Sequence, residues 1–172
     1  MLKSILFAAA ALSAWPVAAS AAQTAPAAAS AEAPAPADDA VRFLTATIDK
    51  FNGGDMDAWA SAHVDEAVIV DEFAPYVWAG SGALKRWIDA YAEYAEANGV
   101  SAGRVDYEKP LMATSDGASA YIVLPTTYRF VQNGTKMAEP SSMTFVTKRA
   151  EGSDWKIASW TFSATSAAAP EK

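Results

Sequence analysis

The chain has 172 residues, of which 13 are basic and 20 acidic, and its formal net charge is −7. This acidity, without any cluster of basic residues, argues against nucleic acids, anionic membranes and polyphosphates as partners. The chain contains no cysteine. Disulfides, thiolate metal sites and a lipid-modified cysteine are therefore excluded.

Residues 1–21 have the pattern of a secretory signal peptide. Lys3 supplies a positive charge, a short apolar run follows, and Ala19-Ser20-Ala21 fits the small-x-small rule for cleavage. The apolar run is too short to cross a bilayer, so no membrane span is predicted. We expect cleavage before Ala22 and a periplasmic or secreted protein. An N-terminal anchor helix is the alternative interpretation.

The composition changes twice more along the chain. Residues 22–37 are rich in alanine and proline and show no periodicity, which is typical of a disordered linker. Residues 163–172 have the same character and predict a flexible tail. The sequence therefore predicts one folded domain over residues 38–162.

Apolar residues at helical spacing predict three helices in the first half of this domain. The first follows Asp38 or Asp39 as N-cap and ends at two glycines, 53 and 54. Asp55 caps a short second helix over residues 56–64. The third opens after Gly82 and ends before residue 99.

Strands are predicted between and after these helices. Residues 67–71 form an apolar run, and residues 76–78 provide a short partner strand. Asp-Gly at 116 and Asn-Gly at 133 are hairpin signals, and Gly152 lies in a third turn. These three turns separate predicted strands over 104–113, 118–132, 136–149 and 155–162. Pro125 and Pro140 lie inside these runs and predict bulges or edge positions.

These elements predict an α+β fold. Three N-terminal helices pack on a cone-shaped, strongly curved antiparallel sheet whose mouth stays open.

Three stretches resemble the nuclear transport factor 2-like superfamily, especially its SnoaL-like and ketosteroid isomerase-like branches. They are "NGGDMDAW", the pair "VDEAVIVDEF" and "WAGSGALKRW", and the closing "DWKIASWTF". Together with the order of elements, the resemblance covers residues 38–162. It implies the cone-shaped fold, but the superfamily includes enzymes, binding proteins and assembly modules.

The ketosteroid isomerase resemblance also implies roles for residues. It places the catalytic base at Asp71. The oxyanion tyrosine of those enzymes falls near Thr47 and their protonated aspartate near Met143, and neither residue supplies the same hydrogen bond. The resemblance thus implies a base without its usual partners.

Asp71 and Glu72 end the predicted strand beside several aromatic residues. Because side chains alternate along a strand, at most one of the two faces a pocket if the strand stays regular. A carboxylate among aromatic rings has a raised pKa and suits general base or acid catalysis. The alternative is an acid at the strand end that pairs with arginine or lysine, or caps the turn before Pro75.

His63 is the only histidine and lies at the end of the predicted second helix. It is a candidate proton shuttle with Asp71, and a helix-end residue favoured by the dipole is the alternative. No metal-ligand spacing and no glycine-rich phosphate loop occurs. No metal and no cofactor is predicted.

The predicted ligand-binding residues are mainly aromatic, and plain core packing is the alternative for each. They are Glu72, Phe73, Tyr76, Trp78, Trp87, Tyr91, Tyr128, Met143 and Trp160. Tyr94 and Tyr121 are further candidates for lining the same cavity.

Three functions remain open from the sequence. The first is binding of a small hydrophobic molecule in the cone. The second is proton-transfer catalysis (isomerase, cyclase or dehydratase), with Asp71 as base and His63 or a tyrosine assisting. The third is an interaction module. A homodimer through the outer sheet face is also expected, because apolar residues occupy both faces of the late strands, such as Ile122, Tyr128, Phe145 and Trp160.

Overall fold

The structure is a computed structural model that describes residues 37–169. The predicted signal peptide and nearly all of the predicted linker lie outside the described residues. The helices are α1 (Asp38–Asn52), α2 (Met56–Ser61) and α3 (Ala83–Asn98). The strands are β1 (His63–Val70), β2 (Val77–Trp78), β3 (Val100–Tyr107), β4 (Met112–Ser115), β5 (Ser119–Gln132), β6 (Thr135–Lys148) and β7 (Lys156–Ala164). Within residues 37–169, no helix is both long enough and apolar enough to cross a membrane.

The three predicted helices are present. Asp55 caps α2 as expected, since its carboxylate accepts a hydrogen bond from the Ala58 amide at 3.0 Å. The predicted cap of α1 is wrong, because Ala37 holds the N-cap position and Asp38 and Asp39 lie in the first turn. There they favour the helix through its dipole, and Asp39 also pairs with Arg149 at 2.7 Å.

The α+β class is confirmed, with the helices packed on a curved sheet that does not close. The strand order is β2-β1-β7-β6-β5-β3. Strand β4 pairs with residues 120–123 of β5, on the same edge as β3, which pairs with residues 126–132. The pairing of β1 with β7 is parallel, so the sheet is not wholly antiparallel as predicted. Hairpin signals identify neighbours along the chain, whereas this pair joins strands about ninety residues apart in sequence.

Two strand predictions differ in extent. The run over 104–113 divides into β3 and β4, which pair with successive parts of β5. Pro125 lies at the gap between them, where its carbonyl accepts a hydrogen bond from Glu108. Pro140 likewise lies beyond the paired part of β7. Both prolines pair without a register shift in the ladder between β5 and β6, opposite Ser142 and Thr127. The predicted bulges and edge positions are therefore not found there.

The inner face of the sheet packs on the helices and forms the core. Ile122, Phe145 and Trp160 are register partners across β5, β6 and β7, and all three are buried. Tyr128 lies on this face as well, two residues from buried Thr126 and Phe130 along β5. The expectation that these four residues are distributed over both faces of the late strands is therefore wrong, because all four lie on the inner face.

The end of the domain extends past the predicted boundary at residue 162. Strand β7 continues to Ala164, and Ala168 then exchanges two backbone hydrogen bonds with Ala138 of β6. Thr165 also donates to the carbonyl of Pro140. Part of the segment predicted as a flexible tail is thus placed along β6.

Candidate functional site

A cavity of about 170 Å³ opens between the helices and the inner face of the sheet. Of the nineteen described residues that line it, ten are aromatic and three are charged, all of them acids: Asp71, Glu72 and Glu139. Asn52, at the end of α1, connects this helix to β3. Its side-chain amide donates to the carbonyl of Val105 and its side-chain oxygen accepts from the amide of Val105, both at 2.8 Å. The result is an apolar chamber with an acidic side.

Asp71 lies just past the end of β1, with its carboxylate held at two points. Oδ2 accepts a hydrogen bond from Trp87 Nε1 and Oδ1 accepts one from the Glu72 amide, both at 2.8 Å. Burial raises the pKa of Asp71 to about 6, although the bond from Trp87 opposes this shift. The carboxyl group is thus oriented and titrates close to neutral pH.

Glu72 and Glu139 form a pair of carboxyl groups within hydrogen-bonding reach of each other. Glu139 lies on β6 opposite Tyr128 and is 6% exposed. Burial, and then the charge of Glu72, raise the pKa of Glu139 to about 7. Burial also raises the pKa of Glu72. Two carboxylates this close share a proton more readily than they both ionise.

Two tyrosine hydroxyls meet in the same cavity. The hydroxyl of Tyr91, on α3, is hydrogen-bonded to that of Tyr128, on β5. Burial raises the pKa of both phenols, so both stay protonated at neutral pH. Each can therefore donate or accept a hydrogen bond near Asp71, whose charge contributes to both shifts.

The family model of the SnoaL-like domain matches residues 41–167, most of the chain. The chain belongs to the SnoaL-like domain family. No curated protein matches it at a significant level.

The solved structures similar to this SnoaL-like domain belong to diverse proteins. A ketosteroid isomerase-like protein from Erwinia carotovora atroseptica is 15% identical with a TM-score of 0.60, covering 76% of this chain and 96% of its own. A CaMKII hub from S. rosetta is 15% identical with a TM-score of 0.58, covering 76% and 98%. ActVI-ORFA from Streptomyces coelicolor is 9% identical with a TM-score of 0.57, covering 74% and 95%. At these identities the likeness establishes the fold alone.

Most of the residues predicted for a site lie together in this SnoaL-like cavity. Both acids line it, because β1 ends at Val70 and the strand alternation no longer applies at residues 71 and 72. The condition under which at most one of them would face the pocket, a regular strand through both residues, is therefore not met. The other predicted lining residues that reach the cavity are Phe73, Trp87, Tyr91, Tyr128, Met143 and Trp160.

His63 lies apart from the cavity lining. It is the first residue of β1 rather than part of α2, and its Nδ1 bonds the carbonyl of Trp59 at 2.8 Å. Burial lowers its pKa to about 4, so the imidazole is neutral at neutral pH and Nδ1 carries the donated proton. The structure gives His63 a packing position against Trp59 and does not place it beside Asp71 in the cavity wall.

Three further aromatic candidates also lie outside the lining. Tyr76 is 58% exposed at the turn after β1. Trp78 is buried beneath Phe73, with ring centroids 5.1 Å apart. Tyr121 lies on the outer face of β5 and is 42% exposed. Strand phase and turn geometry direct each of these side chains away from the cavity.

Glu139 is the acidic residue of the cavity lining that sequence reasoning missed. It shares the inward phase of β6 with Met143 and Phe145, four and six residues later. An acid at an inward position of a core strand is an identifiable signal, but Pro140 beside it favoured an edge interpretation. In the described part of the chain, no cluster of three or more ligating side chains is placed to hold a metal ion.

Proposed function

We propose that this SnoaL-like domain binds a small, mainly apolar or aromatic molecule in the cavity. The single observation that carries the proposal is an aromatic chamber of about 170 Å³ with polar groups gathered at one side. An apolar cavity of roughly 150 Å³ holds a benzene-sized molecule, and ligand sites combine apolar walls with a few polar groups. A single substituted aromatic ring therefore fits this volume.

Binding can be measured by fluorine NMR with para-fluorobenzyl alcohol and para-fluorobenzylamine. Val105→Trp fills the cavity from β3, whereas Val123→Trp adds the same bulk outside the lining. We expect Val105→Trp to weaken binding of at least one probe by roughly tenfold, because the space is occupied, while Val123→Trp leaves it unchanged. Equal binding by both variants, or no binding of either probe at millimolar concentration, would overturn the proposal.

Proton-transfer catalysis is the second candidate, favoured by the environment of Asp71. Its carboxylate is oriented by Trp87, its pKa lies near 6, and the tyrosine pair supplies hydroxyl groups nearby. These are the properties of a general base beside hydrogen-bond donors. In this role Asp71 removes a proton from carbon, and a tyrosine hydroxyl stabilises the resulting oxyanion.

A reporter reaction tests Asp71 without knowledge of the natural substrate. The carboxylate takes the C3 proton of nitrobenzisoxazole, the C–H electrons form a nitrile, and the N–O bond breaks to give a phenolate. We expect a rate roughly a hundredfold above that of Asp71→Asn. It should rise with pH through about 6 as Asp71 ionises. Exposed Glu66→Gln is the matched control, and a rate unchanged in Asp71→Asn would eliminate Asp71 as the base.

A further inference from the structure

The cavity contains acidic groups that have no basic partner within the described part of the chain. Its three charged lining residues are all acids, and no described lysine, arginine or histidine lines it. The four salt bridges found within residues 37–169 involve other carboxylates, on α1, α3 and β3. Negative charge in an aromatic chamber is costly unless something compensates it, and the described protein supplies no cation.

Glu139 is the acid whose negative charge lacks a compensating partner in the described part of the chain. Its side chain is buried to 6% exposure on the inner face of β6, and it lines the cavity. Among the described residues, the one side chain within hydrogen-bonding reach of Glu139 is another carboxyl, that of Glu72. No amide, indole or hydroxyl of the described chain donates a hydrogen bond to it, in contrast to Asp71, which accepts two. The space in front of Glu139 therefore suits a donor brought by a ligand.

Aromatic rings surround these acids. Trp87 stacks with Tyr91 at 5.6 Å, and Phe73 stacks with Tyr94 at 5.0 Å. Both pairs line the cavity. A combination of aromatic rings and carboxylates is the environment that binds organic ammonium groups, through cation–π attraction together with charge-assisted hydrogen bonds.

We infer that the ligand of this cavity is an organic cation, a small molecule with a protonated amine that binds between Glu139, Glu72 and Asp71 while its apolar part packs on the aromatic walls. This inference rests on the proposed binding function and adds the chemical class of the ligand. A primary ammonium group has three donors and no acceptor, which matches a site of carboxylate acceptors.

Bound ammonium also replaces the proton shared by Glu72 and Glu139. A positive charge beside the pair favours its ionised form, so binding of the amine releases protons to the solvent near neutral pH. The other titratable groups at the cavity are Asp71 and the phenols of Tyr91, Tyr94 and Tyr128. The phenols stay protonated, since burial raises the pKa of each.

The test compares para-fluorobenzylamine with para-fluorobenzyl alcohol, which have nearly the same shape and differ in charge. We expect the amine to bind the wild-type chain at least roughly tenfold more tightly. Glu139→Gln, which keeps the shape and removes the charge, should reduce this preference severalfold. Glu66→Gln on the exposed part of β1 is the matched control and should leave it unchanged. Titration calorimetry in two buffers of different ionisation enthalpy should detect proton release with the amine only.

The outcomes distinguish a failure of this inference from a failure of the proposed binding function. If the alcohol binds as tightly as the amine and Val105→Trp weakens both, the cavity binds apolar molecules and the inference on charge is wrong. If the amine binds equally well to Val105→Trp, it binds elsewhere and the inference is also wrong. If neither probe responds to Val105→Trp, the proposed function itself fails. Glu72→Gln provides a second charge-removing variant at an exposed residue should Glu139→Gln not fold.

Discussion

Asp71 accepts two hydrogen bonds but has no cationic partner among residues 37–169, and this determines how its charge affects stability. Its oxygens accept bonds from Trp87 and from the Glu72 amide, which favour the carboxylate. Burial disfavours the carboxylate more strongly, so the pKa lies at about 6 instead of 3.8. Of the alternatives that the sequence left open for this acid, the pairing with arginine or lysine is not found among the described residues.

The raised pKa of Asp71 predicts a pH-dependent stability. Protonated Asp71 favours folding fully below about pH 4, and this contribution is lost as pH rises through about 6, because the folded state then binds more protons than the unfolded state. The loss is on the order of 2 to 3 kcal/mol. Asp71→Asn does not titrate, so the free energy of unfolding of the variant minus that of wild type should increase by this amount between pH 4 and pH 7.

The hydrogen bonds of Asp71 determine how the stability of Asp71→Asn compares with that of wild type at low pH. Asparagine has one acceptor oxygen where Asp71 accepts two bonds, so the variant loses about 1 kcal/mol at every pH. We therefore expect Asp71→Asn to be less stable than wild type at pH 4 and at least as stable at pH 7. Urea denaturation at both values measures this, with exposed Asp57→Asn as the control for loss of one surface charge. A difference that decreases with rising pH would show that a cation stabilises the Asp71 carboxylate.

At the scale of the element, β3 shows how a strand irregularity makes room for the site. The pairing of β3 with β5 shifts register between Ser101 and Arg104, and Ala102 has a positive φ of 53°. Gly103 follows within this bulge. A Cβ at Gly103 would overlap with the hydroxyl oxygen of Tyr128 and lie 3.0 Å from its Cζ. Glycine therefore allows the Tyr128 ring to approach β3 and reach Tyr91.

Gly103→Ala should displace the Tyr128 hydroxyl and disturb its bond to Tyr91. We expect it to cost roughly 1 to 3 kcal/mol of unfolding free energy, as overpacking does. In the Tyr128→Phe background the cost should be smaller, because the atom nearest the new methyl group is absent. A double-mutant cycle by chemical denaturation measures this coupling. Additive effects of the two substitutions would mean that the glycine serves another purpose.

At the scale of the whole molecule, the outer face of the sheet carries exposed apolar residues. Tyr121 is 42% exposed and Met112 52% exposed on β5 and β4. The registers place Val123 and Val146 on the same face, as partners of Met112 and Tyr121. Contiguous exposed apolar surface of this kind is typical of an interaction site. The homodimer remains a prediction, now based on this surface instead of the buried residues first nominated.

A dimer through this face predicts twice the chain mass in light scattering at micromolar concentration. Tyr121→Glu together with Val146→Glu should shift the mass to that of the monomer, because charges in an apolar interface are costly to bury. Ala92→Glu on the exposed side of α3 is the matched control. A monomeric wild-type chain, or a dimer that persists in the double variant, would contradict the outer-face interface.

Local patterns in the sequence determined the elements of this protein. Helical spacing, the Asp55 cap and two glycine-containing turns located all three helices and two hairpins, since these signals act within a few residues of chain. The resemblance extended this to the correct superfamily and to Asp71 as a residue of interest. Export and the signal peptide remain predictions that concern residues outside the described range.

Only the tertiary structure decided which residues share the cavity. The parallel pairing of β1 with β7 joins distant parts of the chain, and no local signal specifies it. Glu139 meets Glu72 because β6 and the turn after β1 converge at the cavity, while His63 is directed into packing against Trp59. Sequence periodicity states which side of an element a residue occupies. Which side chains meet, and therefore whose pKa is raised, depends on packing between elements far apart in the chain.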